Sequence, residues 1–471
     1  MNPLYLQGRS PALPYSLQLP NGETLELQQW LRVLPDQRYV ARAHWQGRSV
    51  LAKLYVGSKA QRHHAREAAG VSALREQGIL TPPQLASGTS SQLCWILFEF
   101  LSGAVSLDQR WQQSLNEGWP QQEAVIRQAL VSIACMHEKG LWQSDLHLDN
   151  YLQHDQQLYV IDGGGVQQQT PGQPLDAQQA LDNLAVFFAQ LPHSVDPHHA
   201  GLLQFYLQQN PAHQLDLQQL QDGVEAVRRW RIRDYLKNSV RDCTRFGVQR
   251  SGSGVIAVQR EQLEAVTELI GSPDSFIDRG HIYKTGGAAT VARVEHQGRQ
   301  WIVKRYNIKN LLHWLKRCWR PSRAWHSWQA GFLLELEGIP VVQNVAVREQ
   351  RWLGLRQEAW LISEYAGEQD LIDRFAPYIE SAAVPTADLQ QLQQLLASMI
   401  RAKISHGDLK GHNILWHNGC CLLIDLDAVC QHKQHGSFAR AFKRDRARLL
   451  RNWPQNSPLY LLLDKHLPQI D

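Results

Sequence analysis

Two aspartates at a fixed separation, with an asparagine between them, are the chemically suggestive feature of the chain. His406-Gly407-Asp408-Leu409-Lys410-Gly411-His412-Asn413-Ile414-Leu415 is followed by the apolar run Leu422-Leu423-Ile424, which ends on Asp425. The arrangement occurs once before: Gln143-Ser144-Asp145-Leu146-His147-Leu148-Asp149-Asn150, then Leu158-Tyr159-Val160-Ile161 and Asp162. The two aspartates are 17 positions apart in each copy (162 − 145 and 425 − 408). Phosphoryl transfer needs such a set. One carboxylate, Asp145 or Asp408, orients the attacking hydroxyl and takes its proton, while Asn150 with Asp162, or Asn413 with Asp425, carry Mg²⁺ against the phosphates through hard oxygen atoms.

A phosphate-binding lysine is expected too, and Lys53 and Lys304 each end an apolar β-run. Glu67, in the helical stretch after Lys53, is placed to pair with it. The corresponding point of the second copy falls near Ser327 and Trp328, leaving Glu335 or Glu337 as substitutes. Gly286 and Gly287, just ahead of the second strand of that copy, suit a loop whose backbone approaches phosphates closely; the first copy has Leu34-Pro35-Asp36-Gln37-Arg38-Tyr39 there, without glycine. Glu99 and Glu364, at the end of the next apolar strand, complete the nucleotide-binding set. The copies differ elsewhere: Gln143 replaces His406, and Asp162 is followed by Gly163-Gly164-Gly165 where Asp425 is followed by Leu426-Asp427.

The elements that must position these residues are duplicated as well. Val40-Ala41-Arg42, Gln46-Gly47-Arg48, Lys53 and Tyr55 recur 251 positions later as Val291-Ala292-Arg293, Gln297-Gly298-Arg299, Lys304 and Tyr306. Alternating apolar residues predict hairpins over 39–54 and 290–303, a helix over 60–77 closed by Gly78 and Pro82-Pro83, and a buried strand at Trp95–Phe98 or Trp360–Ile362. Apolar residues at three and four spacing then predict a helix through Val125, Ile126, Ala129, Leu130 and Ile133, matched by Leu389, Leu392, Leu396, Met399 and Ile400. Each helix delivers the chain to its aspartate loop. The Gly-Ser stretch Arg250–Gly254 marks the boundary, giving domains 1–248 and 249–471.

A length of 471 residues suffices for two such domains. With 48 basic and 44 acidic residues there is no global charge argument for nucleic acid. Seven cysteines without metal-site spacing read as reduced thiols and favour the cytoplasm. No signal sequence or membrane-spanning run is evident. The stretch 307–328 is distinctive: rich in Lys, Arg and Trp and mostly an insertion, Asn307 to Trp325, that the first copy lacks, it suits an anionic membrane surface, a basic helix flank with tryptophans in the core, or a phosphate-rich substrate groove. A second basic cluster, Arg440, Lys443, Arg444, Arg446, Arg448 and Arg451, reads as a solvated helix face.

Taken together, His406-Gly407-Asp408 with Asn413, Ile424-Asp425-Leu426-Asp427, Val303-Lys304-Arg305-Tyr306 and the basic Trp-rich insertion resemble the lipopolysaccharide core kinases, the Kdo/heptose kinase family of Gram-negative bacteria. The first copy resembles the same family through Lys53, Glu67, Ser144-Asp145, Asn150 and Ile161-Asp162. The resemblance implies an α+β architecture of two tandem protein-kinase-like domains, each with a small β-rich N-lobe and a mainly helical C-lobe. It also implies ATP with Mg²⁺, and phosphorylation of an inner-core sugar, heptose, of a lipopolysaccharide or lipid A glycolipid at the cytoplasmic face of the inner membrane, with 307–328 as a peripheral contact. Two other functions remain open on the residues alone: a tandem non-catalytic scaffold in envelope assembly, and a kinase for another small molecule or a protein.

Overall fold

Gln46-Gly47 and Gln297-Gly298 are the turns on which the two sheets are built. Both residues of each pair have positive φ, 49° and 76° in the first and 52° and 70° in the second, the two-residue hairpin geometry that follows the twist of the flanking strands. The hairpins they close join Arg38–Trp45 to Arg48–Tyr55, with Val40 opposite Lys53, and Ala289–His296 to Arg299–Tyr306, with Val291 opposite Lys304. The register fixes which face each lysine occupies.

The computed structural model describes Gly8, residues 11–308, Trp314, Leu315 and residues 318–470. The chain forms two compact units, Met1–Trp230 and Arg231–Asp471. The division falls inside the helix Leu217–Asn238, ahead of the Gly-Ser stretch that composition suggested. That stretch is instead the turn of a hairpin, Phe246–Ser251 with Gly254–Gln259, which adds to the second unit's sheet through Asn344–Trp352.

Each unit has a β-rich lobe and a mainly helical lobe, the kinase-like architecture. In the first, the sheet runs Tyr15–Gln18, Thr24–Leu34, Arg38–Trp45, Arg48–Tyr55, Cys94–Glu99, Gln84–Thr89. In the second it runs Phe246–Ser251, Gly254–Gln259, Asn344–Trp352, Leu355–Glu364, Arg299–Tyr306, Ala289–His296, His281–Lys284. Read from opposite edges, the five strands around the lysine have the same order in both units. Val50, Ala52 and Leu54 fill the core on one face of the first sheet, while Lys53 lies on the other, beneath the helix Ala60–Glu76.

The helical lobes are centred on Trp119–Glu138 and Thr386–Ala402. Val125, Ile126, Ala129, Leu130 and Ile133 are all buried, as are Leu392, Leu396 and Met399, while Leu389 and Ile400 are half-buried. A polar chain crosses the first of these cores: His137, fully buried, meets the Tyr206 hydroxyl at 2.8 Å through Nδ1 and Asn183 Oδ1 at 3.0 Å through Nε2. Asn183 in turn donates to the Gln143 carbonyl at 2.7 Å, immediately before the first aspartate loop.

Burial depresses the His137 imidazole from 6.5 to about 4, against the opposing hydrogen bond it makes to Asn183 Oδ1. The unfolded chain takes up a proton that the folded protein resists, so this contribution is complete above pH 6.5 and is lost as pH falls toward 4. At 1.36 kcal/mol per unit the loss approaches about 3 kcal/mol. Chemical unfolding at pH 7 and pH 5 should show a drop in midpoint that is much reduced in His137→Gln; an equal drop in both proteins would refute it.

Candidate functional site

A strand lysine pointing under a helix has to be neutralised, and the first unit does this from two sides. Lys53 Nζ lies 2.5 Å from Glu67 Oε1 and 3.1 Å from Asp162 Oδ1. Glu67 is buried on the stripe formed by Gly70, Val71 and Leu74. Its second oxygen accepts the Gly164 N–H at 3.0 Å. The approach requires glycine: a Cβ at position 70 would stand 1.9 Å from the Gly163 carbonyl oxygen. Burial alone would raise Asp162, but Lys53 and then Arg38 outweigh it and hold the carboxyl below its ordinary range.

In the second unit, the helix position equivalent to Glu67 is Ser327; Gly78 and Gly338, which follow the two helices, share the same offset of 260 (327 − 67 and 338 − 78). Neither Glu335 nor Glu337 replaces the missing acid. Glu335 faces Arg245, and burial raises its carboxyl, while Glu337 accepts from Gln431 at 2.9 Å. The partner of Lys304 is Asp427, two residues past the strand-end aspartate. Lys304 Nζ bonds Asp425 Oδ1 at 2.5 Å and Asp427 Oδ1 at 3.0 Å. The same Asp427 oxygen accepts the Tyr306 hydroxyl at 2.7 Å and the Ser327 hydroxyl at 2.9 Å, and Arg323 lies 3.6 Å from the other. Asp427 stands where the first unit has Gly164. The carboxylate has thus moved from the helix to the loop, and a small residue has taken the vacated place in each. Burial pulls Lys304 down, yet Tyr306, Asp427 and Asp425 push its ammonium above the ordinary lysine range.

The aspartate loops are held alike. His406 Nε2 lies 2.9 Å from the Ile424 carbonyl; Gln143 Nε2 donates to the Ile161 carbonyl at 2.8 Å, so the glutamine reproduces the contact. Asn413 donates to the Asp408 carbonyl at 2.8 Å and Asn150 to that of Asp145 at 2.6 Å. Asp162 and Asp425 both take the left-handed conformation, φ 64° and 60°. Two supporting residues escape the motif. Asp445, buried in the helix His435–Leu450, accepts the His406 and Gly407 N–H groups at 2.7 and 3.0 Å, and Asn183 supports Gln143 as described above.

The basic helix cluster is not simply a solvated face. Arg448 forms a close ion pair with Asp408 Oδ1, Lys410 lies 3.3 Å from Oδ2, and Arg446 pairs with Asp464 at 2.8 Å. Burial would raise Asp408, and Lys410 and Arg448 outweigh it and lower it. Among the described residues Asp145 has no such arginine or lysine pair: its side chain is exposed, with His147 3.9 Å away.

Gly286 and Gly287 have φ 77° and 62° and open space beside them, in the turn before Ala289–His296. Glu99 and Glu364 end their strands opposite Val50 and Trp301, and Glu364 faces Arg299 at 3.4 Å. Of the 307–328 stretch, residues 309–313, 316 and 317 lie outside the described residues. Trp301 and Trp328 are core residues, Trp314 donates to the Arg356 carbonyl at 2.9 Å, and Trp319 is exposed. The described part of the insertion therefore offers Trp319 and Leu315, rather than a belt of rings, to the surroundings. A cavity of about 270 Å³ opens beside Tyr306 and Asn307, lined by Trp314, Arg320, Arg323 and Arg356.

Lysine, anchoring carboxylate, aspartate loop and strand-end aspartate on a two-lobed frame define a kinase-fold protein carrying the frame twice. Residues 278–459, within the second unit, match the model of the lipopolysaccharide kinase (Kdo/WaaP) family. No curated protein matches the chain. Among solved structures it is similar to "WaaP in complex with acyl carrier protein", at 20% identity over 45% of this chain and 89% of that one, with a TM-score of 0.32, a likeness too loose to carry an argument.

Removing the relocated acid should show its weight. Asp427→Ala leaves Lys304, Tyr306 and Ser327 short of their shared acceptor and should cost roughly 1–3 kcal/mol, read as a lower unfolding midpoint. Adding Ser327→Glu to Asp427→Gly rebuilds the first unit's arrangement and should recover most of the loss. A double variant no more stable than Asp427→Ala would show that the two arrangements are not equivalent.

Proposed function

We propose that the second unit transfers the γ-phosphoryl group of ATP to a sugar hydroxyl, that of heptose, in the lipopolysaccharide inner core. The observation that carries this reading is the set Lys304, Asp408, Asn413 and Asp425 within a unit that matches the lipopolysaccharide kinase family model.

Each residue has one task in the transfer. Asp408 accepts a hydrogen bond from the attacking hydroxyl, aims its oxygen at the phosphorus in line with the departing ADP, and takes the proton as the new P–O bond forms. Lys304, held by Asp427, binds the α- and β-phosphates, and the Gly286-Gly287 turn gives their oxygens room near backbone N–H groups. Glu364 stands at the end of the strand that would border the base. The donor set suits Mg²⁺: Asn413 uses its amide nitrogen on the Asp408 carbonyl, leaving its oxygen, and Asp425 bonds Lys304 through one oxygen, leaving the other. Among the described residues no cluster of three or more His, Cys, Asp or Glu is placed to hold a metal by itself; two protein oxygens completed by substrate phosphates is a usual way of holding this ion. When bound, Mg²⁺ would neutralise the phosphate charge.

Arg448 and Lys410 flank Asp408, which fits an acceptor bearing its own anionic groups. Among the described residues no helix is long and apolar enough to cross a membrane; a glycolipid acceptor would be met at the inner-face surface, with Arg320 lining the cavity beside Tyr306 and Trp319 exposed next to it in sequence.

Transfer of labelled phosphate from ATP to core oligosaccharide should fall at least about a hundredfold in Asp408→Asn, with unfolding midpoint unchanged; full transfer by that variant would remove the proposed base. The acid limb of the pH profile gives a finer test. Lys410 and Arg448 keep Asp408 deprotonated below the ordinary carboxylate range, so activity should persist to low pH and be lost only as pH falls through that depressed value. In Arg448→Ala the limb should move to higher pH; an unmoved limb would show that Asp408 does not set it.

A further inference from the structure

The first unit is built around the same lysine and aspartates, yet its phosphate end differs in charge. Arg38 opposes Tyr55 in the sheet, and in the second unit Ala289 opposes Tyr306 at the same register. Arg38 turns its guanidinium into the site, with Nη1 3.8 Å from Asp162 Oδ1, the oxygen already bonded by Lys53. Its Nε is buried and among the described residues has no hydrogen-bond partner. Asp425, by contrast, has Lys304 as its cationic contact.

The strand connection differs in the same sense. Strand Thr24–Leu34 passes to Arg38–Trp45 through Pro35, Asp36 and Gln37 alone, with the Gln37 N–H bonded back to the Leu34 carbonyl at 3.1 Å. A turn this short, containing proline and no glycine, presents few free N–H groups to phosphates. Cationic side chains stand there instead. Lys59, Arg62 and Arg66 surround His63 at the start of the helix Ala60–Glu76, and burial together with Arg38 and these three holds the imidazole below its ordinary value. A divalent cation at Asp162 would enter beside two cations already in contact with that carboxylate.

We propose that the first unit binds the phosphates of a nucleotide without a divalent cation, Arg38 occupying the place that the metal takes in the second unit. The inference rests on the reading of the chain as an ATP-using protein, but on different residues from those that carry transfer. An anion entering this site meets the partly exposed end of the Arg38 guanidinium, and Lys53 supplies the second cation. The bidentate fork of arginine suits a phosphate oxygen pair in a way that lysine does not. The unit therefore holds nucleotide in conditions where the second unit cannot.

The test is calorimetric titration of the full chain with ATP, once in EDTA and once in Mg²⁺. One site per chain is expected in EDTA and two in Mg²⁺. Arg38→Ala should weaken the EDTA site by at least about tenfold, Arg38→Lys should restore it only in part, and the Mg²⁺-dependent site of the same variants should be unchanged, which doubles as the check on folding. Two sites that both need Mg²⁺ overturn the inference and leave the kinase reading standing. EDTA binding that survives Arg38→Ala, or is abolished by Lys304→Ala, overturns it as well. No binding under either condition would end both.

Discussion

An ammonium group within a β-sheet must be neutralised where it stands, and both units are arranged around that requirement. Lys53 is 7% exposed; left unpaired it would cost several kcal/mol. In the first unit the carboxylate comes from the helix, so the helix must lie within a hydrogen bond of the strand and against the turn after Asp162. Gly70 and Gly163 exist for that contact. The left-handed bend at Asp162 brings the second carboxylate to the same nitrogen.

The second unit meets the same demand with a different covalent origin for the charge. Asp427 sits in the loop, and the helix contributes no acid; it contributes the Ser327 hydroxyl and the Arg323 guanidinium, which both meet Asp427. The exchange is reciprocal, because the space that admits one carboxylate admits one only. A similar equivalence holds behind the aspartate loops, where a glutamine and a histidine reach the same carbonyl. Chemistry at such positions is set by donor geometry more than by residue type.

Residues 39–54 and 290–303 were legible as hairpins because alternation and the Gln-Gly turns specify them locally, and the central helices because their apolar spacing is regular. The division into a β-rich and a helical lobe followed from the family resemblance rather than from pattern, and the strand order was not legible. Asp427 was visible as part of an Asp-Leu-Asp run, but nothing local says which acid turns toward the lysine. Asp445, Arg448 and Arg38 were illegible as site residues for the same reason: each reaches its partner only across the fold. Arg448 and Asp408 are 40 residues apart, and Arg38 and Asp162 lie on opposite lobes. The basic helix read as a solvated face because sequence reports periodicity and not what stands opposite. The Trp-rich insertion misled in the other direction, since most of its described rings serve the interior.

Relocating the acid also changes what motion can do. Where the lysine is tied to a carboxylate on the helix, as in the first unit, rotating that helix breaks the ion pair, and position of the helix becomes a switch. In the second unit both carboxylates on Lys304 belong to one short segment, 425–427. A rotation of the helix Arg323–Leu336 would forfeit the Ser327 hydroxyl and the Arg323 contact, while the charge pairing of Lys304 stayed with the loop. The charge pairing of Lys53 thus depends on where its helix lies, and that of Lys304 on the geometry of one short loop.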